Sequence, residues 1–173
     1  VNDMFYATRR LPRAQKESFA LMVGSYSQQD IQIVQQILQS VQDVKILGRN
    51  NGISENPQHE MQLDNELTRA AIYLNIDTTG RISPVLLQAM QARCAIISNG
   101  HPVYSDLLNK DNSIVCTSVP AIMKAVADIR RNNDYRNSLG EAAYNTAQNY
   151  SLEAFTDKWN DILSTISEIV YTR

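Results

Sequence analysis

Short apolar runs alternate along this chain with segments whose apolar residues recur every three or four positions. Ser18-Phe19-Ala20-Leu21-Met22-Val23 is apolar beyond its first residue and stops at Gly24, the signature of a strand buried on both faces. Ile31, Val34, Ile37, Leu38 and Val41 then share one helical face, and Val44-Lys45-Ile46-Leu47 predicts a second strand ended by Gly48. From Arg49 to Gln62 no period survives, and Asn50, Asn51, Gly52, Asn56 and Pro57 mark a loop. A short helix is expected around Asn65 to Ala70, with Asp64 as its cap.

The next stretch is the most informative. Ala71 to Ile76 reads as a strand, Asp77 to Ile82 as a loop, Ser83 to Arg93 as a helix and Cys94 to Ser98 as a strand. Ser83 stands at the N-cap position and Pro84 at the first helical position, so the loop opens onto a helix N-terminus. In open α/β sheets that place, beyond a strand's carboxyl end, is where anionic ligands bind.

Val103 to Asn109 predicts a short helix and Ser113 to Cys116 a last strand. Pro120 opens a helix carrying Ile122, Met123, Val126 and Ile129 on one face. Further helices are expected from Asp134 to Asn149 and from Ser151 onward, the latter with Glu153 in its first turn. Its stripe of Phe155, Trp159, Ile162, Leu163, Ile166 and Val170 is expected to pack on its own domain. Strands alternating with helices give an α/β fold: a doubly wound parallel sheet, Rossmann-like, over residues 18–173. Residues 1–17, with Arg9, Arg10, Pro12, Arg13 and Lys16, read as a solvated linker or, alternatively, as a phosphate-contacting arm.

Composition narrows the function. A net charge of −2 over 173 residues, with acids and bases intermixed, supplies no basic field for nucleic acid. No apolar run approaches the roughly 20 residues of a membrane span, and the polar, basic N-terminus has no signal-peptide pattern. Cys94 and Cys116 lie in apolar runs, as core thiols of a reduced, cytoplasmic protein do. His59 and His101 are the only histidines, and no Cys or His pair has metal-ligand spacing, so no metal site is expected, and no cofactor is assigned. No phosphate loop of the Gly-Lys-Ser/Thr type and no Gly-x-Ser-x-Gly turn is present. Asp77 ends a strand as in phosphorylated receiver domains, but the acidic pair these need after the first strand is missing from Gly24-Ser25-Tyr26. The chain begins with Val1 and reads as a domain of a longer protein.

Four segments carry a family resemblance. Gly80-Arg81-Ile82-Ser83-Pro84-Val85-Leu86-Leu87-Gln88-Ala89-Met90-Gln91-Ala92-Arg93-Cys94-Ala95-Ile96-Ile97 is the first. The second is Tyr104-Ser105-Asp106-Leu107-Leu108 with Asn109-Lys110-Asp111-Asn112-Ser113-Ile114-Val115. Asn133-Asp134-Tyr135-Arg136-Asn137-Ser138-Leu139-Gly140-Glu141-Ala142-Ala143 and Asn149-Tyr150-Ser151-Leu152-Glu153 complete the set. In this order and spacing they resemble the C-terminal, donor-binding half of retaining glycosyltransferases of the GT-B architecture (glycosyl transferases group 1, family 4-like). The resemblance implies a nucleoside-diphosphate sugar as donor and an acceptor held by an N-terminal domain that this chain lacks. It implies as well that the isolated fragment is inactive, and that Val170 and Tyr171 face that partner domain.

The resemblance is degenerate where the chemistry lies. The family's two carboxylates, one for the donor sugar's hydroxyls and one for the nucleotide ribose, fall on Gly80 and Gln88. Its glycine at the helix start falls on Ser83, followed by Pro84, which has no N–H to give. The Gly-Arg and Lys that grip the diphosphate after the first strand are replaced by Gly24-Ser25-Tyr26-Ser27-Gln28-Gln29-Asp30. By position the donor would meet Gly24, Ser25, Arg49, Gly80, Arg81, Ser83, Gln88, Gly100 and His101, with Arg81 the best substitute phosphate ligand; no catalytic residue is assigned. The alternative is a degenerate domain serving as a scaffold or protein-interaction module.

Overall fold

The computed structural model describes residues 13–24, 26–47, 60–78, 80 and 83–171. Five strands form one wholly parallel sheet: β1 (Glu17–Val23), β2 (Val44–Leu47), β3 (Ala70–Asn75), β4 (Ala95–Ser98) and β5 (Ser113–Val115). Their spatial order is β2-β1-β3-β4-β5. The connecting helices are α1 (Gln28–Ser40), α2 (Glu60–Arg69), α3 (Pro84–Gln91), α4 (Val119–Arg131), α5 (Asn133–Gln148) and α6 (Leu152–Tyr171). The sheet is the doubly wound one that the sequence predicts.

Continuous apolar strands make sense here because both faces are covered. Along β1, Phe19 and Leu21 point into a core shared with Leu67 of α2, Leu86 and Met90 of α3 and Ala143 of α5. Ala20 and Met22 point the other way, onto Val34 and Ile37 of α1 and Ile122, Val126 and Ile129 of α4. β3 alternates likewise, with Tyr73 on the first side and Ile72 and Leu74 on the second. A one-residue slip of either strand would exchange the two cores.

Gly140 sets how closely α5 approaches the sheet. A Cβ built there would lie 2.5 Å from the carbonyl oxygen of Arg93. Arg93 itself, at φ 59°, turns the chain from α3 into β4. Its Nε donates to both carboxylate oxygens of Glu141 at 3.1 Å, and its guanidinium lies 3.5 Å over the Tyr144 ring.

Four expectations are corrected. α2 begins at Glu60, so Asp64 lies inside the helix and does not cap it; Glu60 to Leu63 are good helix formers that carry the helix back toward Pro57. Between Val103 and Asn109 only a 3-10 turn, Pro102–Tyr104, forms. There the Asn112 side chain accepts from the Asn109 amide and donates to the Leu107 carbonyl, competing with a regular helix. α3 stops at Gln91, before the left-handed Arg93. The apolar stripe of α6 does not pack along its length on this domain: Phe155, Trp159 and Ile162 are half-buried, but Leu163 and Ile166 are 57% and 52% exposed. Periodicity reports that a helix has an apolar face, not what covers it. The side chain of Val170 lies outside the described residues.

The N-terminal segment is described from Arg13. Lys16 is not a solvated linker residue, since its Nζ donates to the Leu67 carbonyl at 3.2 Å and reaches the Cys94 Sγ at 3.6 Å. Cys94 and Cys116 are free and buried, and burial pushes both thiols above their ordinary range.

Candidate functional site

The strand order reverses between β1 and β3, and in open α/β sheets the ligand crevice lies outside the carboxyl ends of the strands at that point. The carboxyl ends here are Gly24 after β1, Ile76 to Thr78 after β3 and Asn99 to His101 after β4. The side chains gathered there form two linked groups.

The first closes the N-terminus of α1. Ser27 is the N-cap, and its hydroxyl accepts from the Asp30 amide at 3.1 Å while donating to Asp30 Oδ2 at 2.7 Å. The Ser27 amide donates to the same carboxylate oxygen at 3.0 Å, completing a capping box. Asp30 Oδ1 accepts from the Thr78 amide at 3.0 Å, which ties α1 to the loop after β3. Asp30 is thus buried yet fully engaged. Its negative charge occupies the helix end where a diphosphate would otherwise be drawn.

The second group lies over the β3–β4 gap. Asn99 Nδ2 donates to the Asp77 carbonyl at 2.9 Å, and Asn99 Oδ1 accepts from the Asp77 amide at 3.3 Å. The Tyr104 hydroxyl donates to Asp77 Oδ2 at 2.8 Å, and burial together with that bond raises its pKa. The Tyr104 ring meets His101 edge-on, with centroids 6.5 Å apart. His101 in turn lies against Gly80. A Cβ at position 80 would stand 2.6 Å from His101 Cε1 and 3.0 Å from Nε2, and Gly80 has φ +72°, a conformation that side chains rarely adopt. His101 Nδ1 accepts from the Val103 amide at 3.2 Å, so in the neutral ring the proton sits on Nε2, which is then a donor beside Gly80.

The helix behind this loop offers little to an anion. Ser83 has N-cap backbone angles, but its hydroxyl makes no capping bond, contrary to expectation. Pro84 supplies no N–H, and the Leu86 amide is turned onto the Ser83 carbonyl at 3.0 Å.

Of the residues assigned from sequence, Gly80 and His101 are brought into direct contact. Gly100 precedes His101 at the β4 end, Gly24 hands its amide to the Leu47 carbonyl at 3.0 Å, and Gln88 is a half-buried residue of α3. Ser25, Arg49 and Arg81 lie outside the described residues. The sequence reading missed Asp30 and Thr78 as structural members of this edge. An Asp three residues after a Ser, ahead of a helix, is the capping-box signal in an acidic variant. Among the described residues no three His, Cys, Asp or Glu side chains gather as a metal site needs, and no helix is long and apolar enough to cross a membrane.

The fold has close counterparts among solved structures. The pneumococcal O-GlcNAc transferase GtfA, solved with UDP and GlcNAc, superimposes with a TM-score of 0.68 at 12% identity, covering 92% of this chain and 38% of that one. HepE of Anabaena, solved with UDP and glucose, gives 0.65 at 10% identity, covering 84% of this chain and 48% of that one. The C-terminal domain of the glycosyl transferase group 1 protein LpcC from Francisella tularensis gives 0.58 at 11% identity, with 86% of this chain matched to 97% of that domain. The chain therefore spans less than half of the two larger proteins and nearly all of an isolated C-terminal domain. No protein-family model matches the chain, and no curated sequence does.

Proposed function

We propose that this chain is the donor-binding half of a glycosyltransferase, holding a nucleoside-diphosphate sugar while an acceptor is presented by a domain outside it. The shared fold supports this, since GtfA and HepE were each solved with UDP. The observation that carries it is the His101 ring lying over Gly80. His101 stands where a side chain at position 80 would project, and its Nε2–H offers a hydrogen bond to a sugar hydroxyl or a phosphate oxygen. Gln88 retains hydrogen-bonding capacity toward a ribose, without charge. Arg81 and Arg49 are the cations assigned to the departing diphosphate, whose charge must be met by N–H groups or positive side chains.

Calorimetric titration with UDP, GDP and their sugar conjugates tests the reading. Saturable binding of one nucleotide is expected, weakened about tenfold in His101→Ala and in Arg81→Ala, the scale of one hydrogen bond to a charged group. No binding by the folded chain at millimolar concentration would overturn it and leave a domain that kept the fold without the donor chemistry.

A further inference from the structure

The amino edge of the sheet, opposite Gly80 and His101, holds a cavity of about 420 Å³. Its charged lining is lopsided. Arg13, Lys16, Arg93 and Arg136 contribute four cations, and Glu141 is the one acid among the lining residues. Glu141 is already shared, bonded to Arg93 Nε at 3.1 Å and to Arg13 Nη2 at 3.1 Å. Lys16 and Arg136 have no carboxylate partner among the described residues. Arg136 Nε is moreover shut off from solvent with no hydrogen-bond partner, and its Nη2 makes only a 3.4 Å contact to Asn137. Two of the three Lys16 N–H groups face the Leu67 carbonyl and Cys94, neither of which balances its charge.

We infer that this cavity binds a small phosphate-bearing anion, held by the Arg136 guanidinium and the Lys16 ammonium and framed by Asn133, Asn137 and Ser18. A guanidinium presents paired N–H groups that match a phosphate edge, and a buried donor left unmade costs more than one exposed to water. The volume fits a phosphomonoester or pyrophosphate. Desolvation lowers the Lys16 pKa, the neighbouring Cys94 opposes that shift, and the charges of Arg93 and Arg136 add to it, so a bound anion would favour the charged ammonium. Arg93 is held in place by Glu141 and Tyr144, which preorganises one wall. The site lies across the sheet from the proposed donor edge, and its occupant is a separate ligand.

The test is a titration of the chain with inorganic phosphate and with pyrophosphate at constant ionic strength, read by calorimetry and by amide NMR shifts. Saturable binding is expected, with shifts at Ala92, Arg93, Asn133 and Asn137. Arg136→Gln should weaken it at least tenfold, Lys16→Met comparably, and Arg136→Lys by a smaller factor because charge remains while the paired guanidinium donors are lost. The shifts at Arg93, Asn133 and Asn137 should persist in His101→Ala, whatever that change does at the donor edge. Far-UV circular dichroism establishes that each variant is folded, and Arg136→Lys preserves the test if Arg136→Gln is not. Absence of saturation at about 10 mM of either anion, a response equalled by chloride, or binding lost in His101→Ala and kept in Arg136→Gln would each overturn the inference.

Discussion

The imidazole of His101 occupies the space that a side chain at position 80 would need, with Cε1 2.6 Å from where its Cβ would be. The glycine and the histidine are therefore one feature. Gly80→Ala should cost roughly 1–2 kcal/mol for the left-handed backbone alone, plus the displacement of a ring that Val103 holds through Nδ1. In a His101→Ala background the second part disappears, so the double variant should be more stable than the sum of the single effects by about 0.5 kcal/mol or more. Urea denaturation of the four proteins measures this, and strict additivity would show that the contact constrains nothing.

Asp30 should be the most sensitive polar residue of the carboxyl edge. Its two oxygens satisfy the Ser27 amide and hydroxyl and the Thr78 amide. Asp30→Ala strands these donors and is expected to cost about 2–3 kcal/mol. Asp30→Asn, which keeps an acceptor, should cost less. Hydrogen exchange should report faster exchange at Thr78 and along the first turn of α1 in the alanine variant.

Gly140→Ala should invert the usual rule. At an open helical position this change stabilises by about 0.4–1 kcal/mol. Here the new methyl would meet the Arg93 carbonyl oxygen at 2.5 Å, a backbone atom with no room to yield. A loss of about 1–3 kcal/mol is expected from the forced separation of α5 from the α3–β4 turn. A thermal melt no lower than that of the parent chain would contradict it.

A pH dependence follows from the ion pair joining the first residue of β1 to the last of α2. Arg69 Nε and Nη2 donate to the two Glu17 oxygens at 2.6 and 3.0 Å. That bond holds the Glu17 carboxyl below its ordinary 4.5. Because the folded-state value is the lower one, the contribution is present above pH 4.5 and is lost as pH falls through the depressed value. The stability gap between the parent chain and Glu17→Gln should therefore close at acidic pH, and high salt should narrow it at neutral pH because the pair is exposed. Urea midpoints across a pH series check both.

The fold was legible because a parallel sheet demands unbroken apolar strands, and Phe19 to Val23, Ala71 to Ile76 and Cys94 to Ile97 supply them. Helix ends were less so, since Arg93 ends α3 by adopting φ 59°, which nothing in its side chain announces. The site was half visible. Gly80 and His101 could each be placed at the sheet's carboxyl edge, but their contact depends on how the loops after β3 and β4 lean together. Lys16 lies in a segment without an apolar period and so carries the pattern of a linker; only the folded chain brings it to Leu67 and Cys94. The exposure of Leu163 and Ile166 has no sequence signal, because a stripe of apolar residues is the same pattern whether its partner is in the domain or outside it.

The winding of the sheet also has a kinetic side. The central pair, β1 with β3, is closed across α1, β2 and α2, and its Glu17–Arg69 tie spans 52 residues. That closure joins the two cores, since Tyr73 and Ile72 of β3 belong to opposite ones. Helix α5, by contrast, packs on α3 and β4, elements nearer to it in the chain, and so has a surface to dock on before this distant pairing exists. Refolding should therefore wait on β3 finding β1, and substitutions at Ala20, Leu21, Ile72 and Tyr73 should slow it more than substitutions of equal cost at the β4–β5 edge.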